Sequence, residues 1–183
     1  MRRISSPIPF IVPVVAASII VASGCTPRMA YPPVAGPSSG GIGTADDAPG
    51  PQVMATALKA VAKRNGDTSF AFSLPAGLRE SSWTAVGRSA GAETRWASEG
   101  DSDFYSVESV RVDGGTATVE VAAPKAGHFQ LFTVRLVGGG FDSYRVTSVQ
   151  PWTVRYDPPA VNSPVGSKIP ASMASTSADA TGF

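Results

Sequence analysis

Residues 104–123, FYSVESVRVDGGTATVEVAA, decide the fold. Two runs of alternating apolar and polar side chains flank Gly114-Gly115, and a period of two is the signature of a strand with one buried face. A two-residue loop between such runs needs positive φ, which glycine adopts at no steric cost, so Gly114-Gly115 predicts a tight hairpin with a primed turn. Pairing Asp113 with Thr116 places Val112 opposite Ala117 and Val110 opposite Val119. Arg111, Asp113, Thr116, Thr118 and Glu120 then share the other face. A one-residue slip would exchange the two faces, so turn and burial pattern specify the same register.

Further along the chain, Phe132, Val134 and Leu136 alternate with Thr133 and Arg135 as a third strand. Gly138-Gly139-Gly140-Phe141-Asp142-Ser143 reads as a hairpin loop, and Tyr144 to Tyr156 as a long last strand. Pro151 cannot donate to a ladder, which predicts an edge position or a bulge. The change of phase from Tyr144 and Val146 to Val149 also predicts a bulge.

Toward the N-terminus, Pro51 suits the first turn of a helix, and Val53, Met54, Ala57, Leu58, Val61 and Ala62 form an apolar stripe closed by Asn65-Gly66. Phe70, Phe72 and Leu74 suggest a short strand ended by Pro75. Leu78, Trp83, Val86 and Ala90 fall within one helical arc, so Leu78 to Ser89 reads as a second helix with Gly91 after it. The sum is an α+β fold, with two helices packed on one face of a four- to five-stranded antiparallel meander. The predicted inward set is Val110, Val119, Phe132 and Val134. In outline this order of elements resembles NTF2-like and cystatin-like modules, a resemblance that implies a sheet wrapped about helices and, for the former, a pocket between them.

Composition bounds the rest. Of 183 residues, 43% are hydrophobic and 16% charged, which fits one domain with tails. Residues 25–50 and 157–183 are rich in Pro, Gly, Ser and Ala without periodicity. They read as a tether and a disordered tail around a domain spanning 51–156. A flexible chain of the tether's length would reach roughly 28 Å. The formal charge is +1 and becomes slightly acidic without Arg2 and Arg3. That removes the basic excess by which nucleic-acid binders neutralise phosphates. One cysteine and one histidine exclude a disulfide framework and a His/Cys metal cluster within this sequence.

Residues 1–24 have the three parts of a secretory signal: Arg2-Arg3, an apolar run from Ile8 to Val21, and the small residues Ala22-Ser23-Gly24 before Cys25. The run contains Pro9 and Pro13 and falls short of the roughly 20 apolar residues of a spanning helix. Ala22-Ser23-Gly24-Cys25 resembles the lipobox of bacterial lipoprotein precursors, departing from it at Ala22, where the pattern prefers Leu. The resemblance covers about the first 26 residues. It implies cleavage between Gly24 and Cys25, a diacylglyceryl group on the Cys25 thiol, and the lipid bilayer as a partner. Thr26, where an Asp would signal retention, implies the outer membrane, with the protein facing the periplasm.

No constellation spells out catalysis or a cofactor. His128 lies in the predicted turn Pro124 to His128, and no serine has nucleophile-elbow spacing, so a triad with Asp101 or Asp103 is a weak candidate. Glu99, Asp101 and Asp103 offer oxygen ligands for calcium but lack the glutamate that ends a calcium loop. Gly138-Gly139-Gly140 leads into a strand with no helix N-terminus or lysine, unlike a phosphate cradle. Trp83, Trp96, Trp152, Tyr105, Tyr144 and Tyr156 are candidates for pocket lining or core. The leading expectation is a non-catalytic envelope lipoprotein that binds or scaffolds another protein. A small-ligand module with a cavity between helices and sheet is the second, and a hydrolase with Asp, Glu or His at that cavity's mouth the third.

Overall fold

The computed structural model describes residues 28–32, 42–139 and 142–165. Residues 1–24, read as a signal sequence, together with Cys25 and the end of the segment read as a tail, lie outside these residues. Within them the chain forms eight strands and two helices. Strand β5 (Tyr105–Asp113), β6 (Thr116–Lys125), β7 (His128–Gly139) and β8 (Asp142–Tyr156) make an antiparallel meander. Its first hairpin has the register the turn requires, with Asp113 opposite Thr116, Val112 opposite Ala117 and Val110 opposite Val119. Both bulges expected in β8 are present. One shift falls between the pairs Arg135–Ser148 and Leu136–Val146, and another between Gln130–Arg155 and Phe132–Pro151. β8 lies at the end of the strand order, where a proline costs no ladder bond.

The sheet is larger than a meander and is mixed. β3 (Phe70–Ser73) runs parallel to β5 and to the short β4 (Thr94–Trp96). β1 (Arg28–Tyr31) runs antiparallel to β5 and parallel to β2 (Ile42–Gly43). The expectation of four to five antiparallel strands is therefore corrected in number and direction, while the α+β class holds.

Helix α1 (Gly50–Asn65) lays Val53, Met54, Ala57, Leu58, Val61 and Ala62 on the sheet, all essentially inaccessible to solvent. Gly66, with φ +90°, ends it in the left-handed conformation. Its N–H donates to Lys63 O, and that of Asp67 to Ala62 O, so the last turn's carbonyls are satisfied. Helix α2 (Glu80–Ala90) buries Trp83 and Val86 beside α1. Trp83 stacks on Phe72 at 6.0 Å and meets Trp96 edge-on at 5.8 Å. Residues Val110, Val119, Phe132 and Val134 face this core as expected, each at most 3% exposed.

The segments read as tether and tail contribute to the domain wherever they are described. Met29 on β1 is 3% exposed and joins the core. Asp46 accepts hydrogen bonds from the Arg79 N–H at 2.9 Å and from Ser82 Oγ at 2.5 Å. It thereby satisfies one backbone donor at the start of α2, that of the N-cap residue Arg79, and fastens the first turn through Ser82, in a helix with no side-chain cap of its own. A Cβ at Gly50 would lie 2.2 Å from Ala45 O, so only glycine permits this loop to close on α1. Beyond β8, Asn162 Nδ2 donates to Leu74 O, Asn162 N–H to Ser73 Oγ, and Val165 N–H to Leu78 O. Low periodicity concealed these contacts because they are single side chains and very short ladders.

Two outcomes follow for stability. Met29→Ala should lower the unfolding free energy by about 2–5 kcal/mol, the cost of truncating a buried methionine, where a tether residue would give about 0.5 or less. Gly87 faces Phe72 Cζ at an ordinary 3.5 Å from its would-be Cβ. Gly87→Ala should therefore raise stability by about 0.5–1 kcal/mol through helix propensity. Urea titration of the two variants measures both.

Candidate functional site

The two faces of the sheet differ. One is covered by α1 and α2. On the other, Ala71, Ala97, Phe104, Ala122, Phe129 and Leu131 form a small second core toward the β6–β7 turn, packed by Tyr156 and Val161. The remainder of this second face is polar and carries the residues with the most chemical character.

Strand alternation explains the composition. Ser109, Glu120 and Thr133 stand side by side across β5, β6 and β7, and Arg111, Thr118 and Arg135 form the neighbouring row. Trp152 extends the first row from β8: its indole N–H donates to Thr133 Oγ1 at 2.9 Å, while the residue remains 44% exposed. Ser109 Oγ donates to Glu120 Oε2 at 2.9 Å. Glu108, the extra residue at the β5 bulge, accepts a hydrogen bond from Tyr156 Oη at 3.0 Å. The Tyr156 hydroxyl titrates high, pushed up to about 12 by burial first and then by the carboxylate of Glu108, with Glu120 adding to it. Two carboxylates thus flank one half-buried phenol.

Beside these rows a groove of about 340 Å³ is lined by Tyr31, Pro32, Ser109, Arg111, Thr118 and Glu120, among others. It sits where β1 ends and before β3 takes up the same edge of β5. A broader groove of about 590 Å³ runs along α1 past Lys59, Lys63, Asp67 and Phe70. At its end the buried Tyr105 donates to Asp67 and accepts from Asn65 Nδ2 at 3.1 Å. Burial, then Asp67, raises the Tyr105 hydroxyl above its ordinary range.

The sequence candidates are not brought together. His128 opens β7 opposite Lys125, across the Ala126-Gly127 turn. Asp101 receives both terminal nitrogens of Arg95, at 2.7 and 3.0 Å, and the Ser98 N–H at 2.7 Å. The Arg95 guanidinium, then Ser98, holds its carboxyl down at about 2. Asp101 therefore fixes its own loop, and among the described residues no cluster of three or more His, Cys, Asp or Glu is placed to hold a metal.

Gly138 belongs to β7 and not to a loop. A Cβ there would meet Tyr144 Cα at 2.7 Å, and its N–H donates to Gly115 O at 2.9 Å. Of the six aromatics, Trp83 and Trp96 are packed in the helix–sheet core. Tyr105 and Tyr144 are buried with bonded hydroxyls, Tyr144 donating to Gly114 O, and only Trp152 and Tyr156 reach the open face. Sequence reading missed the pairing of Glu108 with Tyr156. Its one local signal was the break in alternation at Val107-Glu108-Ser109.

Glu108→Gln keeps an acceptor for Tyr156 but removes the charge. The Tyr156 transition should then move down from about 12 toward, without reaching, the ordinary 10, because burial remains. Alkaline titration followed by NMR of ring-labelled tyrosine reads the shift. Compared with protein-family models, curated proteins and solved structures, the chain matches none of them.

Proposed function

We propose that this chain is the precursor of a lipoprotein anchored through Cys25 and that its domain is a non-catalytic, protein-binding module of the cell envelope, facing the periplasm from the outer membrane. The observation that carries the anchoring is the order of the leader: positive charge, apolar run, then Ala22-Ser23-Gly24-Cys25. One acyl chain binds a bilayer marginally whereas two or more hold it stably, so a diacylglyceryl cysteine would keep the protein at the membrane. Among the described residues no helix is long and apolar enough to cross a membrane.

The open sheet face supports the binding role. Tryptophan, tyrosine and arginine dominate the energetics of protein interfaces, because each joins a large apolar surface to directional polar groups. Trp152, Tyr156, Arg111 and Arg135 share this face with Glu108 and Glu120. The helix–sheet interior is filled by Trp83, Phe72, Leu58 and their neighbours, so a second reading, capture of a small ligand, falls to the surface groove beside Tyr31. Its volume of about 340 Å³ lies at the low end of ligand pockets.

Intact mass and detergent partitioning of protein taken from membranes of the producing cell test the anchor. Wild type should carry acyl mass and enter the detergent phase, and Cys25→Ala should do neither. Identical, unacylated and soluble forms would overturn it. A photo-cross-linking residue at position 152 should give a protein adduct in cells that the same probe at exposed Lys59 does not give, and Arg135→Glu should abolish it. An unchanged adduct in Arg135→Glu would remove the open face from the proposal.

A further inference from the structure

We infer that the domain does not swing on a tether but is held against the bilayer, with its β5–β6 turn and the adjoining ends of β7 and β8 at the lipid headgroups and its β6–β7 turn pointing away. This rests on Cys25 being the lipid attachment point and goes beyond it, since lipidation alone fixes neither distance nor orientation.

The distance follows from chain geometry. Only Thr26 and Pro27 separate Cys25 from the first residue of β1. Three residue steps span at most about 11 Å even when fully extended, so Arg28 must lie within that distance of the acylated residue. The Pro- and Ser-rich stretch that could have served as a spacer instead falls between β1 and β2, after the chain has already entered the sheet.

The orientation follows from register. β1 is antiparallel to β5, with Arg28 opposite Asp113 and Tyr31 opposite Val110, so the chain enters at the Asp113 end. Arg28 Nε bonds Asp113 Oδ1 at 3.1 Å. The β5–β6 turn therefore sits at the anchored end. The β7–β8 end is fastened to it: Gly138 N–H donates to Gly115 O at 2.9 Å and Tyr144 Oη to Gly114 O at 2.8 Å. β6 then runs ten residues away from this end, which at ~3.4 Å per residue puts the Ala126-Gly127 turn about 30 Å further off.

Charge does not set this arrangement. At that end Arg28 is ion-paired with Asp113 and Asp47 with Arg79, so the short covalent link would hold the domain, and its placement should persist at high salt. The row containing Glu120 lies four residues up β6 from Thr116, about 14 Å, which brings the open face within about 25 Å of the bilayer. The partner that the face fits is thus a protein apposed to the same membrane.

The test uses acylated full-length protein, first confirmed by intact mass, in phosphatidylethanolamine–phosphatidylglycerol vesicles containing headgroup-spin-labelled lipid. With Cys25 acylated, Thr116→Cys and Ala126→Cys each provide a single free thiol for a fluorophore. The label at position 116 should be quenched severalfold more than that at 126, with no change at high salt. A flexible Gly/Ser spacer of about 12 residues, inserted between Pro27 and Arg28, should erase the difference. Equal quenching at the two positions without the spacer, or stronger quenching at 126, would overturn the orientation while leaving lipidation intact. Absence of acyl mass would instead overturn the anchor itself and the orientation with it.

Discussion

β5 has to satisfy three neighbours, and its bulge is what allows it to do so. One edge of the strand pairs continuously with β6 apart from Glu108. The other edge is divided: Val110 to Asp113 pair with β1, which enters antiparallel, and Tyr105 and Ser106 pair with β3, which runs parallel. Buried backbone groups require partners, and neither β1 nor β3 is long enough to supply them alone. Strict alternation from Tyr105 and Val107 would send Ser109 and Arg111 into the core. The extra residue resets the phase, so that Tyr105, Val107, Val110 and Val112 all face α1, each at most 2% exposed.

The same reset creates the chemical character of the opposite face. Ser109 and Arg111 emerge there, and Glu108, relieved of a cross-strand partner, reaches Tyr156 on the far side of the meander. The patch is thus a by-product of the packing constraint on the other side of one strand. Its rigidity is inherited too, because β6 and β7 between its halves are buried on their inner side and locked in register. With Trp152 bonded to Thr133, Tyr156 to Glu108 and Ser109 to Glu120, these groups would lose little conformational entropy on the protein binding proposed above.

With lipid on Cys25 as proposed, placement relative to a membrane would follow from where the sheet begins. The chain would enter its first ladder three residues after the lipid, which would keep Arg28 within about 11 Å of it whatever the flexibility of the segments that follow. At the Asp113 end the β5–β6 turn is bonded to β7 through Gly115 and Gly138 and to β8 through Gly114 and Tyr144.

The sequence by itself determined whatever is encoded by neighbours within one turn or one hairpin. The apolar stripe and left-handed cap of α1, the register around Gly114-Gly115 and the displaced phase of β8 are all local, since period and turn chemistry act over a few residues. The leader is local in the same sense, and its reading stands on residues 1–26 alone. Only the tertiary structure decided that Arg28–Tyr31 and Thr94–Trp96 are strands. Segments of three or four residues have too little alternation to declare themselves and become strands because an unpaired edge of β5 or β3 accepts them. It also decided that Asp46 bonds the start of a helix more than thirty residues away, that Asn162 bonds Leu74, and that Glu108 meets Tyr156. Each is a contact between single side chains distant in sequence, whose cost in chain entropy is met only once the sheet has brought them together.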